Sequence, residues 1–116
     1  MTTTYTIDAT GKALGRVASE AAKMLMGKTL PSYRTNTVPT TTVTVTNVKL
    51  LKLTEKKLQD TSHVSYSGYP GGLKHTTYAK TIEKAGHQAL LQKAISGMIP
   101  KNKLHKEILS HLKISE

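Results

Sequence analysis

The pattern of apolar and polar residues predicts that the first half of the chain combines strands with a helix. Residues 5–8 (YTID) have the composition of a short strand, and a turn follows them. From Leu14 to Leu25 the apolar residues recur at helical spacing, and we expect the helix to stop at Gly27. After a loop rich in proline and threonine, the run TTVTVTNV at 41–48 alternates valine with threonine, which predicts a half-buried strand.

The pattern of the second half is mainly helical. A short strand ending near Leu53 and a charged turn at 55–57 come first. Threonines typical of an N-cap then begin a short helix at 76–85 that Gly86 ends, and another helix runs up to Pro100. The last predicted helix starts at Asn102, and its apolar stripe consists of Leu104, Ile108 and Leu112.

These elements predict an α/β domain. The chain of 116 residues has the size of a single hydrophobic core, so we expect residues 1–116 to form one domain. A strand and a helix at the start, further strands and a helical C-terminal half indicate a small mixed sheet packed with helices. Because the sequence has no Trp and no Phe, the core is expected to be aliphatic.

The chain is strongly basic. It has 17 Lys and Arg residues against 7 Asp and Glu residues, which gives a formal net charge of +10. So much positive charge on a small domain favours a polyanionic partner, with nucleic acid ahead of a membrane surface. The alternative is a merely soluble, well-charged surface, but that more typically carries a net charge of about 2 to 8.

Most enzymatic and metal-binding functions have little support in the sequence. There is no cysteine, which excludes disulfides and thiolate metal sites and fits a reducing compartment. The 5 histidines form no closely spaced ligand pair, and acid–base catalysis by paired carboxylates is poorly supported. No signal peptide and no apolar run of membrane-spanning length are present. We therefore expect a cytosolic protein with no cofactor, no metal and no small-molecule substrate.

The tripeptide GKT at 27–29 is the one hint of nucleotide chemistry. A phosphate-binding loop of the Walker type needs a glycine at position 22, where the chain has Ala22, and it opens a helix, whereas this tripeptide follows one. We interpret GKT as a chance match. A small nucleotide-dependent enzyme that uses Lys28 is the corresponding minor hypothesis.

The segment SYSGYPGGLKH at 65–75 concentrates turn-forming and aromatic residues. YPGG fits a type II turn in which Gly71 takes the position that requires a positive φ. One interpretation is an RNA-binding loop in which bare glycine backbone allows close approach and Tyr66 and Tyr69 stack on unpaired bases. The other is a tight hairpin whose tyrosines anchor it to the core. The residues alone leave both interpretations open.

Lysines also surround the start of the last predicted helix, in GMIPKNKLHKEILSHLK at 97–113. Such clusters suit the phosphates of folded or duplex RNA. A solvated helix face is the alternative, and the net charge of +10 favours the phosphate interpretation.

Three stretches of the chain resemble one known family. YTIDATGKALGRVASEAAKMLMGK, SGYPGGLK and KAISGMIPKNKLHKEILSHLK occur in the order seen in the bacterial-type ribosomal large-subunit protein thirteen family, and they cover nearly the whole chain. The resemblance implies a small three-layer α/β domain with a mainly parallel central sheet flanked by helices. It also implies a structural, non-catalytic protein of the large ribosomal subunit, whose partners are large-subunit ribosomal RNA and neighbouring ribosomal proteins rather than a membrane.

The same resemblance points to residues that contact RNA. By motif matching, the RNA-facing positions of the family would fall on Lys12 and Arg16, on the loop at 66–75, and on the segment at 101–106. The full set that we expect to bind RNA is Lys12, Arg16, Lys23, Lys28, Tyr66, Ser67, Gly68, Tyr69, Gly71, Gly72, Lys74, His75, Lys101, Asn102, Lys103, Lys106 and Lys113.

The chain departs from the family pattern at several positions. Thr4 stands where members commonly have a tryptophan, and Glu55 replaces the usual glycine of a turn. Ser65 and Tyr66 replace an Arg-His pair, so a phosphate contact is lost that Tyr66 can replace by stacking. After Glu116 we expect the C-terminal extension of many relatives to be absent. A bacterial and an organellar source are both compatible with the sequence.

The leading hypothesis is thus a constituent of the large ribosomal subunit that binds and stabilises ribosomal RNA during assembly. A free-standing basic regulator of other RNAs or of DNA is the alternative. Equal affinity for duplex DNA and for ribosomal RNA would distinguish that regulator from a ribosomal protein.

Overall fold

A computed structural model of the chain describes residues 3–115. The α/β class is confirmed: a parallel sheet and a small antiparallel sheet are combined with helices, including a mainly helical C-terminal part. In chain order the elements are β1 (Thr3–Asp8), α1 (Leu14–Leu25), β2 (Thr41–Thr46), a 3-10 turn (Val48–Leu50), α2 (Glu55–Asp60), β3 (Ser62–Tyr66), β4 (Leu73–Thr77), α3 (Tyr78–Met98), α4 (His105–Ser110) and β5 (Leu112–Ile114).

The parallel sheet has the strand order β1-β2-β5, with β2 in the middle. Tyr5 lies opposite Val43 on one side of β2, and Leu112 lies opposite Val43 on the other. Thr41, Val43 and Val45 are buried, whereas the threonines between them are half-buried. This confirms the half-buried strand that the alternation of valine and threonine predicts.

The core lies between the sheet and the helices. All the apolar residues that define the predicted face of α1 are buried, and α1 contacts both β2 and α3. From α3, Leu90, Leu91 and Ile95 join the same cluster, together with Val43 and Val45 of the sheet. Dense aliphatic packing of this kind supplies most of the favourable free energy of folding.

Helix α3 is kinked at Gly86, where φ is 81° and ψ is 175°. The prediction that the helical conformation is interrupted there is therefore confirmed. The predicted start at Thr76 is wrong, because Thr76 and Thr77 are the last residues of β4 and the helix begins at Tyr78. Thr77 is the N-cap, and its side chain accepts a hydrogen bond from the Lys80 N–H at 3.3 Å.

The predictions of a strand ending near Leu53 and of a charged turn at 55–57 are wrong. The chain forms a 3-10 turn and then α2, which begins at Glu55. The Thr54 side chain accepts a hydrogen bond from the Lys57 N–H at 3.2 Å, so a capping threonine followed by an acidic residue begins a helix here. The only strand-like pairing in this segment is a single parallel bridge between Ala13 and Lys52.

The apolar stripe of the last predicted helix is divided between two elements. Helix α4 is short and buries Ile108, whereas Leu112 lies in β5. Residues 111–115 form backbone hydrogen bonds with the edge of β2. The Val43 N–H donates to the His111 carbonyl at 3.1 Å, and the Ser115 N–H donates to the Val45 carbonyl at 2.8 Å. Strand pairing therefore ends the predicted helix early.

Candidate nucleic-acid interface

The segment at 65–75 forms most of an antiparallel hairpin built from β3 and β4. At its tip the Gly72 N–H donates to the Tyr69 carbonyl at 2.9 Å, and Gly71 has a φ of 78°. This is the type II turn that YPGG predicts, with Pro70 at its second position. On the strand side of the turn, the Ser67 N–H donates to the Gly72 carbonyl at 3.3 Å.

Gly72 has no room for a side chain. A β-carbon added there would clash with Ser67 and would lie 2.9 Å from the carbonyl oxygen of Tyr69. The hairpin tip is consequently a compact loop of bare backbone, which another molecule can approach closely.

The tyrosines of the hairpin project into solvent. Tyr66 is 64% exposed and Tyr69 is 75% exposed. The hairpin interpretation of this segment is therefore correct in its geometry, but its tyrosines do not anchor it to the core. Tyr66 faces Leu73 across the hairpin and Val64 faces His75, so exposed apolar and aromatic side chains share one face.

The hairpin also contacts α3. The rings of His63 and Tyr78 lie with their centroids 5.0 Å apart, and His63 Nε2 is buried with no hydrogen-bond partner within residues 3–115. Burial, together with the nearby charge of Lys93, holds the pKa of His63 below its usual value. At neutral pH the His63 ring on β3 thus packs against Tyr78 in its uncharged form.

A groove of about 600 Å³ separates β3 from the C-terminal half of α3. Ser65 and Thr76 of the hairpin line one side of it, and Lys93, Ser96 and Lys101 are among the residues on the other. The fold therefore brings Lys101, from the lysine-rich segment, beside the hairpin. The two segments are well separated along the chain and meet only in the folded protein.

The lysine-rich segment after α3 is exposed at Lys101, Lys103 and Lys106. The Asn102 side chain accepts a hydrogen bond from the Leu104 N–H at 3.0 Å, which shapes the turn into α4. A hydrogen bond of 3.1 Å joins His105 Nε2 to the Ser96 carbonyl, which ties α4 to α3. The lysines are thus carried on a backbone with defined contacts.

The remaining predicted cations occupy other parts of the surface. Lys12 and Arg16 line a groove of about 640 Å³ together with Lys52 and Lys57, which sequence analysis missed. Lys23 and Lys28 line a smaller groove of about 420 Å³ beside Met98. Lys74, Lys113, Ser67, Gly68 and His75 are exposed as well, with Lys113 on β5 rather than on a helix.

The loop between β1 and α1 is held by Asp8. Its carboxylate accepts hydrogen bonds from the Thr10 side chain at 2.7 Å, the Thr10 N–H at 3.0 Å and the Asn47 amide at 3.1 Å. The bonds from Thr10 and Asn47 lower the pKa of Asp8 to about 2. The backbone that carries Lys12 is thereby fixed to the end of β2.

The GKT tripeptide has no phosphate-binding geometry. Gly27 lies just after α1, where its N–H donates to the Met24 carbonyl at 3.1 Å, and the chain continues into a loop rather than a helix. Within residues 3–115, no cluster of three His, Asp or Glu side chains is arranged to hold a metal ion. In the same part of the chain, no helix combines the length and apolarity needed to cross a bilayer.

Comparison with known proteins places the chain in a family. The model of the family described as "Ribosomal protein L13" matches residues 2–116. This chain belongs to the ribosomal protein L13 family. Membership in a ribosomal protein family confirms the resemblance seen in the sequence and agrees with the prediction that the chain is not an enzyme.

Several relatives carry the name "Large ribosomal subunit protein uL13". The protein of Citrifermentans bemidjiense is 44% identical over 110 residues, which cover 95% of this chain and 77% of the relative. The protein of Caldanaerobacter subterraneus subsp. tengcongensis is 42% identical over 95% of this chain and 76% of the relative. That of Kocuria rhizophila is 44% identical over 95% of this chain and 74% of the relative.

Proposed function

We propose that this protein is a structural constituent of the large ribosomal subunit that binds and stabilises large-subunit ribosomal RNA during assembly. The observation that carries the proposal is the combination of family membership with the exposed, aromatic β3–β4 hairpin beside Lys101. Its place in the cell is then the ribosome, in the cytoplasm of bacteria. The neighbouring proteins of the subunit are its further partners.

The hairpin is suited to unpaired bases. Its two exposed tyrosine rings, Tyr66 and Tyr69, present flat apolar faces, and every base has a face that can stack on them. The compact tip at 67–72 carries Tyr69 and three glycines, so apart from that ring it presents backbone with little side-chain bulk. Lys74 and His75 follow on β4 and are exposed, so phosphates can be bound next to the stacked bases.

The lysine-rich segment is suited to phosphates. Lys101, Lys103 and Lys106 are exposed, and the turn shaped by Asn102 holds their backbone in place. Each lysine that neutralises a phosphate releases counterions and adds to the salt dependence of binding. Since Lys101 lines the groove beside β3, one RNA strand can contact both the hairpin and this segment.

The proposed RNA-binding set has three further parts. Lys12 and Arg16 lie after β1, Lys23 and Lys28 lie around the end of α1, and Lys113 lies on β5. All five side chains are exposed; Arg16 and Lys23 lie on α1, Lys113 lies on β5, and Lys12 and Lys28 lie in the turns before and after α1. Together with the hairpin they distribute cationic contacts over several sides of a small domain, as suits a protein that braces folded RNA.

Sedimentation of a native lysate tests the proposal most directly. The protein should appear in stoichiometric amounts in the large-subunit and whole-ribosome fractions of a sucrose gradient at both low and high salt, as followed by mass spectrometry. Recovery only at the top of the gradient at both salts would contradict the proposal.

A binding experiment tests the residues. The double variant Lys101→Ala with Lys103→Ala should bind ribosomal RNA more weakly and with a salt slope reduced by about 1 per lost phosphate contact. The matched control is Lys80→Ala with Lys84→Ala, which removes two exposed lysines from α3 outside the proposed set. Equal loss in both pairs would show a net-charge effect only. Equal affinity of the wild type for duplex DNA would favour a free-standing regulator.

A further inference from the structure

The groove beside the first turn of α1 concentrates positive charge from separate segments of the chain. Lys12, Arg16, Lys52 and Lys57 all line it, and Glu20 is its only acidic residue. Lys12, Arg16 and Lys52 are exposed and Lys57 is half-buried, and the groove has a volume of about 640 Å³.

The position of the groove follows from the parallel sheet. Lys12 comes after the carboxyl end of β1, and Lys52 comes after the carboxyl end of β2. The Lys52 N–H donates to the Lys12 carbonyl at 2.9 Å, and the Gly11 N–H donates to the Leu50 carbonyl at 2.9 Å, so the two segments are joined side by side. Sites at the carboxyl edge of parallel strands are where α/β proteins most often bind ligands.

The charges in the groove are only partly offset by acidic groups in the described range 3–115. Glu20 is the one acidic residue that lines the groove beside four basic ones, and Lys12 is attracted to the Asp8 carboxylate, whose pKa it helps to lower. The nearby Asp8 carboxylate is already hydrogen-bonded to Thr10 and Asn47. Four like charges around one concave surface repel each other, and an anion in the groove would relieve that repulsion.

The lining of the groove decides which anion fits. It contains no aromatic and no large apolar side chain; besides the charged residues it has only Gly11, Ala13 and Thr54. A nucleobase would therefore find nothing to stack on, whereas phosphate groups would find cations and a hydroxyl donor.

We infer that this groove binds backbone phosphates of RNA, and that Lys52 and Lys57 are phosphate-binding residues alongside Lys12 and Arg16. The inference rests on the proposed function as an RNA-binding ribosomal protein. The proposed site binds phosphates without recognising any base. It is separate from the hairpin, where tyrosines are proposed to stack on bases.

The test uses the full chain and large-subunit ribosomal RNA, with affinity measured across a salt series. Lys52→Gln and Lys57→Gln should each weaken binding roughly two- to fivefold, the range of an exposed charge pair, and should lower the salt slope by about 0.7 to 0.9. The matched control is Lys56→Gln, because Lys56 is an exposed lysine on the same helix that does not line the groove. It should leave both quantities nearly unchanged.

Glu20→Gln provides a test of the opposite sign. Removing the only acidic side chain of the groove should tighten RNA binding, which loss of folding cannot mimic. Equal effects of Lys52→Gln, Lys57→Gln and Lys56→Gln, or no effect of Glu20→Gln, would overturn the inference.

Two further outcomes separate the possible failures. If the wild-type protein does not bind ribosomal RNA, the proposed function fails and the inference with it. If the wild type binds but Lys52→Gln and Lys57→Gln have no more effect than Lys56→Gln, the inference about the groove fails and the proposed function stands.

Inorganic phosphate provides a separate test. When it is titrated at constant ionic strength it should bind weakly; tight binding that Lys52→Gln abolishes would identify a small-anion site and overturn the assignment to RNA.

Discussion

Two regions of the molecule differ in where their apolar side chains lie. The parallel sheet and α1 bury theirs, whereas the β3–β4 hairpin exposes them to solvent. In the first region the valines of β2 and the apolar face of α1 are buried, and they form one aliphatic core with α3. In the hairpin, Val64, Tyr66 and Leu73 are 59%, 64% and 56% exposed. Burial stabilises the fold, whereas apolar side chains that stay mostly exposed together on one face indicate a binding surface.

The largest effect is expected from truncating the core. Leu91→Ala removes a fully buried side chain of α3 and leaves a cavity, so it should lower the free energy of unfolding by about 2 to 5 kcal/mol. Urea denaturation followed by circular dichroism measures this change. Leu73→Ala in the exposed hairpin is the matched control and should stay within about 0.5 kcal/mol. Similar losses for both variants would break the contrast between the two regions.

The next effect concerns the hairpin tip. Gly72→Ala forces a methyl group against Ser67 and the Tyr69 carbonyl, so we expect a cost of about 1 to 3 kcal/mol, confined to the hairpin. Amide exchange should rise in β3 and β4 but not in α1. Gly15→Ala, a helical glycine with open space around its α-carbon, is the control. Undisturbed exchange in the Gly72 variant would show that the tip adapts without cost.

A smaller effect is expected from the exposed aromatic rings, and it should appear in binding rather than in stability. Tyr66→Leu should weaken binding to ribosomal RNA by roughly 1 to 2 kcal/mol, the lower part of the range for one stacked base, because leucine keeps an apolar contact. Tyr66→Phe keeps the ring and should retain most of the affinity. A Phe variant as weak as the Leu variant would mean that the hydroxyl, not stacking, is the contact.

The smallest effect is a pH dependence where the hairpin meets α3. The unfolded chain takes up the His63 proton near pH 6.5, but burial lowers the pKa of His63 in the folded protein. The contribution of His63 to the free energy of unfolding is therefore fully present above about pH 6.5, and it is lost as the pH falls towards the folded-state pKa. His63→Phe keeps a ring against Tyr78 and should flatten this part of the stability profile. Parallel profiles for the wild type and this variant would contradict the assignment.

The residues that the sequence predicts well are those with strong local signals. The periodicity of α1, the valine–threonine alternation of β2, the type II turn at Gly71 and the break at Gly86 all appear where expected. In each case the conformation depends on the residue itself or on its near neighbours in the chain. The sequence also carried the family resemblance, because three motifs in order extend over nearly the whole chain.

The segments predicted wrongly are those whose conformation depends on distant partners. Leu112 has helical spacing relative to Ile108, yet it forms β5 because the edge of β2 offers backbone hydrogen bonds from residues far away in the chain. Likewise, Thr76 looked like the start of a helix but lies in a strand opposite His63. Local spacing cannot report a sheet edge that only the folded chain creates.

The α/β class, the aliphatic core, the basic character and the family can thus be predicted from the residues alone. Which charges share a surface depends on how the chain folds. Lys12 and Lys52 are far apart in the sequence and adjacent at the carboxyl edge of the sheet, and Lys101 lies beside a hairpin that ends more than twenty residues earlier. The physical reason is that amphipathic periodicity is a property of neighbouring residues, whereas a binding surface is assembled by strand pairing and by the packing of helices on the core.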